Sequence, residues 1–395
     1  MTPRRLLRPI PLARFLEEVW GETPLHLRGA RSRFAGLFSW RILNQLLATQ
    51  RLEPPRLRLA QAGVPTRALE PIVRYRTTPA GRQDPHLDVP ALNRALARGA
   101  TLILSAAHDM HPPLAAMTRE FANLFLAEPN VNAYATFGRQ SGFGPHWDHH
   151  DVFILHIAGR KRWVIYGASR RYPLFRDVRT NGSRPLRAQS RHWLQPGDLL
   201  YIPRGHWHDA LAVDEPTLHL TLGVPTASGI DFLNWLADDM RAVELARKNI
   251  PLFDARRSAD WLRLVARAVA ARLDDDTLAR FLDERRAMLE PSPDPALPHA
   301  VHRDYAARKQ DLLRWTGSAR ATLLTRTRGV VVRAAGREFE FDPAAAPLIA
   351  QLLTGATVSY GALERGYAHR LGPRRLRRLI GELLHEHFVT IVPSR

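Results

Sequence analysis

The chain has 395 residues, with 57 Lys or Arg against 38 Asp or Glu, and a formal net charge of +19. Its length suggests two or three domains, and its 45% hydrophobic and 24% charged residues exclude a disordered or fibrous chain. It has no cysteine, which excludes disulfides, zinc fingers, iron–sulfur clusters and thiol catalysis and leaves histidines and carboxylates to hold any metal.

All the basic residues except Lys161, Lys248 and Lys309 are arginine, which with 30 prolines reads partly as a coding bias. The excess positive charge still favours polyanionic partners, because Lys and Arg release counterions from phosphate backbones. No stretch approaches the roughly 20 apolar residues that span a bilayer. Pro3, Arg8, Pro9 and Pro11 interrupt the basic start, so the expectation is a soluble cytoplasmic protein with no membrane partner.

Leu12, Phe15, Leu16 and Val19 lie at helical spacing up to Pro24, and Ile42, Leu43, Leu46 and Leu47 follow Ser39 as an N-cap. Residues 99–104 read as a short buried strand and 113–126 as a helix with Leu114, Met117, Phe121, Leu124 and Phe125 on one face. Between 131 and 224 the texture changes to strands at 131–137, 151–157, 162–166, 198–202 and 217–224, separated by glycine- and proline-containing turns. Short strands at this spacing indicate a barrel or sandwich.

From 229 to 289 the pattern is helical again, with stripes at Trp261, Leu264, Val265, Ala268 and Val269 and at Leu278, Phe281 and Leu282 that suit a core or a dimer face. Four prolines within 291–298 mark a linker. Beyond it, 329–335 and 337–341 read as paired strands, Asp342-Pro343 as a helix start, and Tyr360 as the start of another helix. A last helix after Gly372 buries Leu376, Leu379, Ile380, Leu383 and Leu384 and exposes Arg374, Arg375, Arg377 and Arg378, before a strand at 388–392. This suits a winged helix whose recognition helix is the arginine-rich one.

Two segments carry chemistry. In the first, Gly144 to Phe153, His146 and Asp148 share a face if the segment is a strand. An imidazole and a carboxylate suit a divalent metal, and a second histidine completes a facial triad. On octahedral Fe(II) that triad leaves three adjacent positions for a bidentate co-substrate and dioxygen. A zinc hydrolase could use the same ligands. His149 and Asp151 form a rival pair in the opposite register, and one site cannot take both.

The second segment runs from Gly197 to His208. Its Gly197, Pro203, Gly205 and His208 have the spacing of the second signature motif of the cupin superfamily, which selects His208 over its neighbour His206. His146-x-Asp148 followed by Val152-Phe153, then Gly159-Arg160-Lys161-Arg162-Trp163, then Pro196-Gly197-Asp198 through His208, resembles the JmjC branch of that superfamily. The resemblance is closest to the bacterial ribosomal-protein hydroxylases, the ribosomal oxygenase family. The sixty residues from Asp148 to His208 and the helix from Phe15 to Trp20 are similar to theirs as well.

The resemblance implies an α+β chain in three parts. These are a double-stranded β-helix of cupin/JmjC type with N-terminal helices over 1–226, a helical dimerisation segment and Pro-rich linker over 227–298, and a winged-helix-like domain over 299–395. It implies Fe(II) held by His146, Asp148 and His208, and 2-oxoglutarate whose far carboxylate pairs with Lys161. His219 and Thr221 would stand near that co-substrate, with Tyr134 and Trp147 as wall residues. The implied activity consumes O2 and hydroxylates an arginyl or histidyl residue of a ribosomal protein, in a homodimer that contacts the ribosome or its RNA. Two rival readings stay open: a winged-helix nucleic-acid-binding regulator with a ligand-sensing barrel, and a metal-dependent cupin of other chemistry. A sequence pI near 11.2 is not complementary to basic ribosomal proteins. Capture through ribosomal RNA, an unusual substrate and codon bias are its three explanations.

Overall fold

Side chains along 151–155 alternate between two cores. Val152 and Ile154 pack with Trp163, Ile165, Leu194, Leu200 and Ile202, whereas Phe153 and Leu155 join the larger cluster that includes Phe15, Phe121 and Tyr201. This period of two makes the segment a strand covered on both faces. The computed structural model describes residues 1–395 except 66–67, 139–141, 176, 178–183, 185–186, 214, 290–296, 302–307, 317–321, 327–328, 335–336 and 393–395. The chain divides into two compact units, Met1–Thr226 and Ala227–Arg395.

Among the described residues the first unit has twelve strands: β1 (Leu25–Leu27), β2 (Leu57–Ala60), β3 (Val73–Thr77), β4 (Gln83–Leu87), β5 (Thr101–Leu104), β6 (Asn130–Thr136), β7 (Asp151–Ala158), β8 (Lys161–Ala168), β9 (Ser190–Leu194), β10 (Leu199–Ile202), β11 (His206–Ala212) and β12 (Thr217–Val224). A seven-stranded sheet has the order β1-β10-β7-β12-β6-β5-β2, and a three-stranded sheet the order β11-β8-β9. The small cluster of Val152, Ile154, Trp163, Ile165 and Leu200 joins the two sheets into a double-stranded β-helix. The other face of the large sheet is covered by helices, among them Leu12–Glu18, Trp40–Thr49 and Pro112–Phe125, with Leu114, Met117 and Phe121 fully buried.

The fold corrects one expectation directly. Residues 144–150 are not a strand; within them only His146 pairs, in a single antiparallel bridge to His208. The i, i+2 argument therefore does not explain how His146 and Asp148 come together. Strands β1, β2, β3, β4, β9 and β11 were not expected either. β11, His-Trp-His-Asp-Ala-Leu-Ala, hides its strand character in residues mostly of low β-propensity, and its antiparallel pairing with β8 overrides them.

In the second unit, helices Gly229–Asp239, Ala255–Ala270 and Thr277–Met288 are followed by strands β13 (Leu312–Trp315), β14 (Thr322–Arg326), β15 (Gly329–Ala334), β16 (Arg337–Phe341), β17 (Val358–Ser359) and β18 (Val389–Val392). The sheets are β17-β13-β18 and β14-β15-β16. Helices Ala346–Leu353, Tyr360–Leu371 and Pro373–His385 close a core with Leu313, Leu348, Leu363, Ile380 and Phe388. Asp342 caps a short 3-10 turn, Pro343–Ala345, rather than the α-helix itself. Most of the proline-rich linker, 291–296, lies outside the described residues. Among the described residues no helix is long and apolar enough to cross a membrane.

Candidate active site

His146 and His208 exchange backbone hydrogen bonds, His146 N–H to His208 O at 3.0 Å and the reverse at 2.8 Å. That bridge sets the two imidazoles 4.4 Å apart between ring centres. Each ring is oriented by its own loop, since His146 Nδ1 donates to Gly144 O at 2.9 Å and His208 Nδ1 to His206 O at 3.0 Å. With Nδ1 carrying the proton, both Nε2 lone pairs are left free for a ligand bond. Asp148 is held from behind: its carbonyl accepts from Gly205 N–H at 2.8 Å. Gly205 has φ +82°, and a Cβ there would lie 2.6 Å from Arg170 O, so the turn admits no other residue.

One donor atom from each of His146, Asp148 and His208 lies within 4.8 Å of the others, and Asp148 Oδ2 is 3.6 Å from His208 Nε2. Burial pushes the Asp148 carboxyl upward, but the neighbouring His208 and His146 outweigh it and hold its pKa below the usual value. Burial, with His146 alongside, pushes His208 down to about 4. An ionised Asp148 beside a neutral His208 is the protonation state a divalent metal requires. Two nitrogen donors and one oxygen donor in this arrangement fit Fe(II) with positions left open.

The rival pair is separated by the strand that follows. His149 lines the cavity, but Asp151 accepts from Tyr201 Oη at 2.6 Å, and Tyr201 belongs to the core on the other side of β7. His206 contributes its carbonyl rather than its ring.

The cluster opens into a cavity of about 550 Å³ whose walls include Tyr134, His150, Lys161, Trp163, His219 and Thr221. Trp147, expected at the wall, is buried and not among the lining residues. Lys161, the first residue of β8, is 2% exposed. Its Nζ donates to Thr136 Oγ1 at 3.2 Å, and Thr136 Oγ1 is 3.1 Å from Thr101 Oγ1. Among the described residues it has no ion-pair partner. Burial lowers its pKa to about 8, with the charge of Asp209 acting in the opposite direction. A buried ammonium without a carboxylate is costly unless an anion arrives, so the site fits the far carboxylate of a dicarboxylic co-substrate.

His219 and Thr221 face the same cavity from β12. The His219 ring stacks on Tyr134 at 5.0 Å and meets the edge of Trp163 at 5.5 Å, and its Nδ1 has no partner among the described residues. Burial and the Lys161 charge hold its pKa well below the ordinary value. Behind it, fully buried His156 spends Nε2 on Gly159 O at 3.0 Å, and its pKa is lowered to about 4 by burial. His156 is a core residue. Thr136 and Thr101 were missed in the sequence, because a threonine at a strand end looks like any sheet-surface threonine until its partner is known.

Barrel, bridge and donor set together define a cupin-type metal site. Residues 110–232 match the JmjC domain family. It is 28% identical over 225 residues to a protein of Drosophila persimilis named bifunctional lysine-specific demethylase and histidyl-hydroxylase NO66, covering 56% of this chain and 31% of that one. The Brugia malayi protein of the same name is 37% identical over 100 residues, covering 24% of this chain and 14% of that one. The chain thus spans less than a third of the length of these relatives. Among solved structures, the Escherichia coli ribosomal oxygenase YcfD in complex with cobalt and 2-oxoglutarate superposes with a TM-score of 0.56 at 18% identity, covering 98% of this chain and 99% of that one. Another crystal structure of the E. coli protein gives 0.57 at 18%, covering 97% and 98%. At this identity the likeness is one of fold.

Proposed function

We propose that the chain is an Fe(II)- and 2-oxoglutarate-dependent oxygenase that hydroxylates an arginyl or histidyl side chain of a ribosomal protein. The observation that carries this reading is one cavity holding both the His146–Asp148–His208 donor set and the buried ammonium of Lys161, which has no ion-pair partner among the described residues. When bound, the iron and co-substrate supply the oxidising power that places one oxygen of O2 in a C–H bond while 2-oxoglutarate leaves as succinate and CO2.

The protein's part is positional. His146 and His208 offer fixed Nε2 atoms, and Asp148 balances metal charge. Lys161, steered by Thr136, pairs with the far carboxylate. His219 and Thr221 line the same cavity and would offer hydrogen bonds to the co-substrate. Tyr134, His149 and His150 form wall against which the target side chain is held. The printed names of the similar proteins, a ribosomal oxygenase and a histidyl-hydroxylase, support this substrate class, and a ribosomal substrate puts its work in the cytoplasm. The test is succinate formation from 2-oxoglutarate under Fe(II) and air with ribosomal proteins as substrate, followed by mass analysis of those proteins.

We propose further that 227–298 is a dimerisation segment and 299–395 a winged-helix-like domain. The helix Ala255–Ala270 is amphipathic, yet none of its residues is buried, and Leu262, Leu264, Leu252 and Phe253 are all exposed in this stretch. A contiguous apolar surface of this kind marks an interface, and a second copy of the chain supplies a matching stripe. Size-exclusion chromatography with light scattering tests it.

A further inference from the structure

The outer face of the small sheet carries an unneutralised basic and aromatic surface that the proposed activity does not use. Residues 160–193 contain ten basic residues and one acid, Asp177. Arg160, Arg170 and Arg171 are paired with Glu215, Asp177 and Glu22. Arg162, Arg184 and Arg191 are in no ion pair among the described residues.

Register places them. Lys161 pairs with Leu194 on the cavity side of β8 and β9, so the adjacent pair, Arg162 with Trp193, points outward, and so does Val164 with Arg191. Trp193 is 51% exposed. Arg184 lies over the Tyr166 ring, 4.2 Å from its centre. The carboxylate on this face, Asp209, is buried and already has a partner. The face therefore presents the exposed Arg191 beside an open indole, with half-buried Arg162, its Nε shielded from solvent, and the Arg184-capped phenol of Tyr166 next to them.

We infer that this face, built from Arg162, Tyr166, Arg184, Arg191 and Trp193, binds single-stranded RNA. Guanidinium groups take phosphates, and flat aromatic faces take unstacked bases. An acidic protein would use the arginines but not the exposed indole, and a duplex keeps its bases stacked inside. The surface lies on the opposite face of β8 and β9 from Lys161, so the inference stands whether or not the catalytic reading does.

The test is fluorescence anisotropy of the full chain with a labelled single-stranded RNA of about 16 nucleotides, titrated at several salt concentrations. Trp193→Ala should weaken binding about tenfold and Trp193→Phe should restore most of it. Arg162→Ala/Arg191→Ala should flatten the slope of log K against log salt by about 1.4. Unchanged thermal midpoints establish that the variants are folded. The inference is overturned if these variants bind like the parent while Arg374→Ala/Arg375→Ala abolishes binding. It is equally overturned if the parent prefers a polyglutamate peptide to RNA, or binds no RNA at near-physiological salt.

Discussion

His146 and His208 are joined backbone to backbone by reciprocal hydrogen bonds of 3.0 and 2.8 Å. On the proposed reading the same two residues supply the nitrogen donors to the metal. Each ring is then fixed through its Nδ1 by a carbonyl two residues earlier in the chain. Metal affinity is therefore built into the closure of the fold. His208→Ala should lower Co(II) or Fe(II) affinity by at least about a hundredfold by calorimetry. His206→Ala, which keeps the orienting carbonyl, should stay within a few-fold of the parent.

On the proposed reading, with Lys161 pairing the co-substrate's far carboxylate, co-substrate binding is pH-dependent. With its pKa lowered to about 8, the ammonium is present below that pH and lost above it. The apparent KM for 2-oxoglutarate should be flat below pH 8 and rise about tenfold per pH unit beyond it. Lys161→Arg should extend the plateau, because a guanidinium keeps its charge. Lys161→Met should remove saturable binding. A KM profile across pH 7 to 9.5 measures all three.

His156 sets an acid limit on stability. An unfolded imidazole takes its proton near pH 6.5, whereas His156, buried beside Lys161, holds off to about 4. Between those values the unfolded chain binds more protons, so stability falls as the pH drops. The loss attributable to this residue is roughly 3 kcal/mol across the window. His156→Asn should give a flatter profile there in urea melts, even if its stability at pH 7 is lower.

The exposed helix Ala255–Ala270 predicts the oligomeric state. Leu262→Glu combined with Phe253→Ser should convert a dimer to a monomer in light scattering, with little change in the melting of the barrel unit. Both side chains are exposed in the single chain, so neither substitution disturbs its own core.

The legible parts of the fold were those where local chemistry and tertiary role agree. β7 advertises itself by apolar residues at both parities, β12 by Leu218, Leu220, Leu222 and Val224 at every second position, and His208 by the Gly197–Pro203–Gly205 framework, in which Gly205 is sterically required. The clustering of His146 with Asp148 was anticipated for the wrong reason. They meet through a bridge and a loop braced by Gly205, contacts made across some sixty residues that no local period encodes. Thr136 and Thr101 were illegible for the same cause, since their importance lies in touching Lys161 and each other. β11 was hidden because His208 serves the site rather than the sheet.

The most direct test of the account is succinate release coupled to protein hydroxylation. Ribosomal proteins from source cells lacking this gene would be incubated with the enzyme, Fe(II), 2-oxoglutarate and air, alongside His146→Ala/Asp148→Ala. The account predicts stoichiometric succinate and a one-oxygen mass gain on an arginyl or histidyl residue of one ribosomal protein, both absent with the double variant. No succinate from the metal-loaded parent, with or without ribosomal protein, would contradict it.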